Sequence, residues 1–118
     1  MARLLELARA SGDPLAEVRR EVATLLGPEP PTVDAVAARV GLSRRQLQRR
    51  LAQHGTTFTR VVEESRRALA ELYVHDGRLG VAEIAYLLGY SEPSAFSRAF
   101  KRWTGEAPDH RRRRGPRR

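Results

Sequence analysis

Two stretches of this chain spell the same pattern. Residues 33–55, VDAVAARVGLSRRQLQRRLAQHG, and residues 81–105, VAEIAYLLGYSEPSAFSRAFKRWTG, pair Val33 with Val81, Val36 with Ile84, Ala37 with Ala85, Val40 with Leu88, Gly41 with Gly89 and Ser43 with Ser91, all 48 apart. Past the serines the offset becomes 49, pairing Leu47 with Phe96, Arg49 with Arg98 and Leu51 with Phe100. One residue has therefore been added in the second turn, around Glu92 and Pro93. In each copy, apolar residues at helical spacing lie on both sides of a glycine, which predicts two helices broken by a tight turn. That is the outline of a helix-turn-helix. A plain helical hairpin in a bundle has the same outline. It gives no reason, however, to repeat a small alanine four residues before each glycine, where close helix crossing leaves little room.

The flanking sequence supplies the starts and stops. Residues 3–10 can form a short helix; Asp13 caps a new one and Pro14 fits its first turn. From Leu15, Val18, Val22, Leu25 and Leu26 make one apolar stripe, which Gly27, Pro28, Pro30 and Pro31 terminate. Thr32 caps the first motif, with Asp34 favourably placed in the first helical turn. Ser43 caps the second helix, and Gln46 completes a capping box. Residues 57–75 read as one connecting helix from Phe58, with Val61, Val62, Leu69, Leu72 and Tyr73 on its buried side and Glu63 and Glu64 facing Arg66 and Arg67. The loop at residues 76–80 leads into the second motif, where Phe96, Phe100 and Trp103 form the inward stripe.

The helix from Arg44 to Gln53 is poorly explained by stability. With Leu47 and Leu51 turned inward, Arg44, Arg45, Gln48 and Arg49 are left outward and Arg50 toward a flank. Two arginines at a helix N-terminus oppose the macrodipole, and like charges crowd each other at a cost of roughly a few tenths of a kcal/mol per pair. An anion reverses that sign. The Ser43 hydroxyl and the free backbone N–H groups beside it suit a phosphate. Gln48 and Arg49 carry the donor and acceptor sets that read adenine and guanine edges in a DNA major groove. In the second copy, Ser91 matches Ser43, and Ser94, Ala95, Arg98, Lys101 and Arg102 fall outside the aromatic stripe. Pro93 sits near the helix start, where a missing N–H is tolerated.

Charge agrees with a polyanionic partner. The net charge is +8, and of 22 basic residues only Lys101 is a lysine. Arginine suits bidentate contacts to phosphate or guanine, and it is equally the product of a GC-rich genome. The excess is concentrated: residues 110–118, HRRRRGPRR, hold six arginines and no acid. From residue 111 such a tail lacks the apolar residues to fold alone, and it adds salt-sensitive, non-specific affinity.

The pair of motifs, the run IAYLLGYSEPSAFSRAFKRWTGEAP and the earlier GLSRRQLQRRL resemble the DNA-binding domain of the AraC/XylS family of bacterial transcription regulators. The resemblance spans about residues 15–112. It implies an all-α, homeodomain-like fold: two helix-turn-helix lobes, at residues 32–55 and 80–105, joined by the long connecting helix within a domain of residues 13–110. It also implies that Arg45, Gln48 and Arg49 in the first motif, and Pro93, Ser94, Ala95 and Arg98 in the second, face DNA. The partner would be a double-stranded bipartite site read in two adjacent major grooves. About 18 residues of connecting helix span roughly 27 Å, which with the helix ends approaches the ~34 Å of one DNA turn. Family analogy further implies an activator that contacts RNA polymerase, and a separate effector or dimerisation domain outside this chain, with residues 1–12 as the connection to it or a short helix; the alternative is a free-standing one-domain regulator. One departure is visible: Arg111 stands three residues after Pro108, where family members usually carry an aromatic.

Other chemistries find little footing. There is no cysteine, so no disulfide or thiolate, in keeping with a cytoplasmic protein. The N-terminal residues are interrupted by Glu6 and Arg9 and form neither a signal peptide nor a membrane span. His54, His75 and His110 are widely separated and read as capping residues, not metal ligands. No cofactor motif or nucleophile constellation is present, so an enzyme is not expected. The competing class is a helical interaction module whose basic face binds an acidic protein or RNA.

Overall fold

The computed structural model describes residues 13–114, and all of its regular structure is helical. The helix expected at residues 3–10 lies outside the described residues, as do residues 115–118 of the tail. Seven helices follow in order: α1 Ala16–Leu25, α2 Val33–Arg39, α3 Arg44–Gln53, α4 Phe58–Asp76, α5 Val81–Leu87, α6 Pro93–Thr104 and α7 Pro108–Arg114. The chain divides into two compact units. One comprises residues up to Leu25 with Pro31–Ser65, and the other Leu26–Pro30 with Arg66 onward. The helix α4 runs from one into the other.

In the first unit, α2 packs against both α1 and α3. Its core is Leu15, Val18, Val22, Val36, Ala37, Leu47, Leu51, Val61 and Val62, all buried. Asp13 accepts a hydrogen bond from Leu15 N–H at 2.9 Å and pairs with Arg19 at 2.6 Å. That backbone hydrogen bond, before the guanidinium, holds its carboxyl below the usual carboxylate range. Glu21 is buried and tied to Arg39 of α2, so an ion pair reinforces the apolar contact between the two helices.

In the second unit Ala70, Val74, Ile84, Ala85, Leu88, Phe96 and Phe100 form the core, with Leu69, Tyr73, Tyr90 and Trp103 partly buried around it. Phe96 stands 5.7 Å from Tyr90 and 5.8 Å from Phe100 in tilted ring contacts. Tyr90 comes after the end of α5 and belongs to the turn. Leu72, expected inside, is 63% exposed. Ala70 and Val74 set the buried stripe of α4, and a residue two positions from each lands on the far side of the helix.

Both motifs close with the same backbone device. Leu42 N–H bonds to Ala37 C=O at 2.9 Å and Gly41 N–H to Ala38 C=O at 3.3 Å; Tyr90 N–H bonds to Ala85 C=O at 2.9 Å and Gly89 N–H to Tyr86 C=O at 3.1 Å. This is the Schellman pattern, in which a left-handed residue lets the last carbonyls of a helix be satisfied. Gly41 and Gly89 supply it with φ of 74° and 87°. Their surroundings differ. A Cβ on Gly41 would meet nothing within 4 Å, whereas one on Gly89 would lie 3.0 Å from Gly27 O and 3.3 Å from Arg66 Nη2. Arg66 also donates from Nε to Leu88 O at 3.0 Å and lies 5.1 Å from the Tyr90 ring centre. The second turn is therefore clamped from α4 and from the proline-rich loop.

The end of the chain corrects the expectation of an unfolded tail from residue 111. Helix α7 continues to Arg114, with Pro108 buried at its start. Arg111 lies 3.8 Å from both Glu71 and Glu106, and Arg112 donates to Tyr73 O at 3.3 Å and Val74 O at 3.4 Å. The arginines order because they reach carboxylates and the carbonyls of Tyr73 and Val74 near the end of α4, which composition alone does not reveal. Where the family usually carries an aromatic, Arg111 packs as an ion pair.

Two outcomes follow for stability in urea. Gly41→Ala should cost about 1–2 kcal/mol, the strain of a left-handed alanine, and Gly89→Ala should cost ~1 kcal/mol or more beyond that because of the added overlap. Truncation after residue 114 should leave the unfolding midpoint in place, while truncation after residue 110 should lower it. Equal midpoints for the two truncations would contradict the role given to Arg111 and Arg112.

Candidate nucleic-acid interface

Helix α3 begins with the capping box read from the sequence. Ser43 Oγ accepts from Gln46 N–H at 3.1 Å, and Ser43 N–H donates to Gln46 Oε1 at 2.8 Å. The Ser43 side chain is thus engaged in capping. Leu47 and Leu51 are fully buried, which turns Arg45, Gln48 and Arg49 outward together; all three are exposed, as are Ser43, Arg44 and Arg50. The helix contains no acidic residue.

Arg44 differs from its neighbours. Its Nε and Nη2 each lie 2.9 Å from the two carboxylate oxygens of Asp34, in the first turn of α2. The hydrogen bond from Arg44 holds the Asp34 carboxyl below the usual carboxylate range, and Asp34 in turn raises the guanidinium. The pair therefore stays charged across the neutral range. Sequence reasoning placed Asp34 only as a helix-dipole residue; a contact ten residues away between two helices leaves no local signal.

Helix α6 starts differently. Glu92 precedes it with extended backbone and no side-chain cap, and Pro93 takes the first position. With Phe96, Ala99 and Phe100 buried, the outward residues are Ser94, Arg98, Lys101 and Arg102, all exposed. Ser91 and Pro93 are exposed as well, and Ala95 is half-buried. This helix, too, carries no acidic residue between Pro93 and Thr104. Gly105, at φ 85°, ends it and donates to Lys101 O at 2.8 Å.

Every predicted contact residue of the first motif thus lies on one helix or its cap, and every one of the second on the other helix or the turn before it. Arg45, Gln48 and Arg49 share a face of α3; Ser94, Arg98 and Lys101 share a face of α6. Each surface can present cationic donors to phosphates and base edges, the first adds the Gln48 amide, and neither holds an acid–base pair suited to covalent chemistry. Among the described residues, no helix is long and apolar enough to cross a membrane, and no group of three or more His, Cys, Asp or Glu gathers as a metal site.

Comparison with known proteins agrees with this geometry. A helix-turn-helix domain family matches residues 36–114, which take in all but the start of the first motif and the whole of the second. A DprA winged-helix family also matches residues 5–54, although the described part of that stretch contains helices and no strand. An uncharacterised HTH-type transcriptional regulator of Mycobacterium bovis is 42% identical over 85 residues, covering 72% of this chain and 25% of the relative. The ornithine utilization regulator of Pseudomonas aeruginosa is 40% identical over 78 residues, 66% of this chain and 23% of that protein. The chain spans about a quarter of the length of these relatives.

Among solved structures, an AraC-type DNA-binding domain protein from Chromobacterium violaceum superposes with a TM-score of 0.75 at 26% identity, covering 89% of this chain and 94% of that one. The DNA-binding domain of AdpA, solved in complex with a target DNA, gives a TM-score of 0.67 at 30% identity, covering 86% and 91%. With two helix-turn-helix units, their repeated glycine turns and a family match across both, the chain belongs to the AraC/XylS family of transcription regulators and comprises its DNA-binding domain.

Proposed function

We propose that this chain binds a specific bipartite site on double-stranded DNA and regulates transcription as one part of a longer, effector-responsive cytoplasmic protein. The observation that carries the reading is the repeated presentation of an exposed, acid-free helix face with arginines, one per motif, behind the same glycine turn. Arg44 apart, which pairs with Asp34, these arginines are exposed, and a phosphate backbone and guanine edges suit them. A protein that covers a quarter of its relatives' length leaves room for an effector or dimerisation domain elsewhere in the full regulator. Activation through contact with RNA polymerase belongs to the same reading, by analogy with the family.

The contact residues in this proposal are Ser43, Arg44, Arg45, Gln48 and Arg49 from the first motif and Ser91, Pro93, Ser94, Ala95, Arg98, Lys101 and Arg102 from the second. Their chemistry is unequal. Gln48 and Arg49 can each make paired hydrogen bonds to a base edge, while of Pro93, Ser94, Ala95 and Arg98 in the second motif only Arg98 can. The first motif therefore supplies most base discrimination, and the second mostly anchors the backbone.

Selection from random duplexes tests the function: enrichment of a motif with halves about one turn apart supports the proposal, and no enrichment favours a module that binds an acidic protein or RNA. On the selected duplex, Gln48→Ala and Arg49→Ala should each cost roughly 1–3 kcal/mol in a binding titration. Ser94→Ala should be nearly silent; a severe loss there with both others silent would reverse the assignment of roles.

A further inference from the structure

We infer that Asp34 is a positioning residue for DNA recognition, holding the Arg44 guanidinium in a fixed orientation at the start of the recognition helix. This rests on the DNA-binding reading above. Arginine has five N–H donors on three nitrogens in one plane. The Asp34 carboxylate takes two of them, through Nε and Nη2, in a fork with both distances at 2.9 Å. The three that remain, both on Nη1 and the second on Nη2, point away from Asp34 along the outer edge of the plane. An acceptor on the duplex then meets a guanidinium whose rotamer is already chosen.

Stability does not explain the pair. Both side chains are well exposed, 57% for Arg44 and 66% for Asp34, and ion pairs in that setting contribute little to folding. The repeat makes the point independently. Asp34 corresponds to Ala82 at the offset of 48, and Arg44, past the serine, to Pro93 at the offset of 49. The second motif builds the same glycine turn with neither member, so the turn does not need them. An acid beside a polyanion-binding surface also carries an electrostatic penalty; its place in the first turn of α2 accounts for an acid there, but not for the two-bond fork to Arg44. Arg45, the next residue, is exposed and makes no such fork to a carboxylate among the described residues.

The test uses the whole chain, the duplex it selects and a scrambled duplex of equal length. Simple electrostatics predicts that Asp34→Asn, by removing a negative charge, tightens binding to both duplexes. Positioning predicts the opposite on the selected duplex: a loss of about two- to twelvefold, the cost of immobilising one flexible side chain at the interface. Affinity for the scrambled duplex should stay level or rise, so the specificity ratio falls while the thermal midpoint is unchanged. In an Arg44→Ala background the Asp34→Asn loss should vanish. If the preference relaxes at one base pair the acceptor is a base edge; if all sequences cognate to the selected set weaken alike it is a phosphate. Either supports the inference. Equal or tighter binding of Asp34→Asn to the selected duplex overturns it. So does an NMR signal for Arg44 Nε–H in the free protein that exchanges as fast in the parent as in Asp34→Asn, a measurement that stands even if no duplex is selected.

Discussion

Each motif depends on one backbone constraint: a helix must end, satisfy its last carbonyls and start again in a new direction within a few residues. Gly41 and Gly89 meet it by taking the left-handed conformation, which returns the following N–H to the carbonyl of Ala37 or Ala85. Those alanines are buried, at 2% and 1% exposure, where a larger side chain would push the crossing helices apart. Everything functional is downstream of that turn. Once its direction is set, burying Leu47 and Leu51, or Phe96 and Phe100, decides which residues of the next helix look outward. The recognition faces are thus by-products of core packing, free to vary in side chain without cost to the fold.

The two copies hold the same turn by different means. The first leaves Gly41 open and begins its recognition helix with a reciprocal capping box at Ser43. The second crowds Gly89 between Gly27, Pro30 and Arg66, and starts its helix with a proline and no side-chain cap. A cap fixes the first helix locally; the clamp fixes the second through contacts remote in sequence. This difference parallels the chemistry of the exposed helix starts, with amide and guanidinium side chains after the capped turn and the small residues Ser94 and Ala95 after the clamped one.

Much of this was legible in the sequence, for identifiable reasons. Capping residues and helix periodicity are local, so Thr32, Ser43 with Gln46, and the bounds of the helix from Arg44 to Gln53 followed directly from spacing. Outward residues followed from the inward ones. What the sequence hid depends on contacts between distant residues. Leu72 has the hydrophobicity of a core residue, but Ala70 and Val74 fill the buried stripe. Arg111 and Arg112 look like part of a solvated tail, but Glu71, Glu106 and the carbonyls of Tyr73 and Val74 near the end of α4 order them. The Asp34–Arg44 fork joins two helices across a turn, and neither residue type announces the other.

In the proposed mode of binding, both outward helix faces engage one duplex. Hydroxyl-radical footprinting of a single bound chain on its selected site examines this most directly. Engagement of both faces gives two protected patches on the same side of the duplex, centred about 10 base pairs apart, with the Arg49→Ala variant weakening one and Arg98→Ala the other. A single patch, lost in one variant and indifferent to the second, would contradict it.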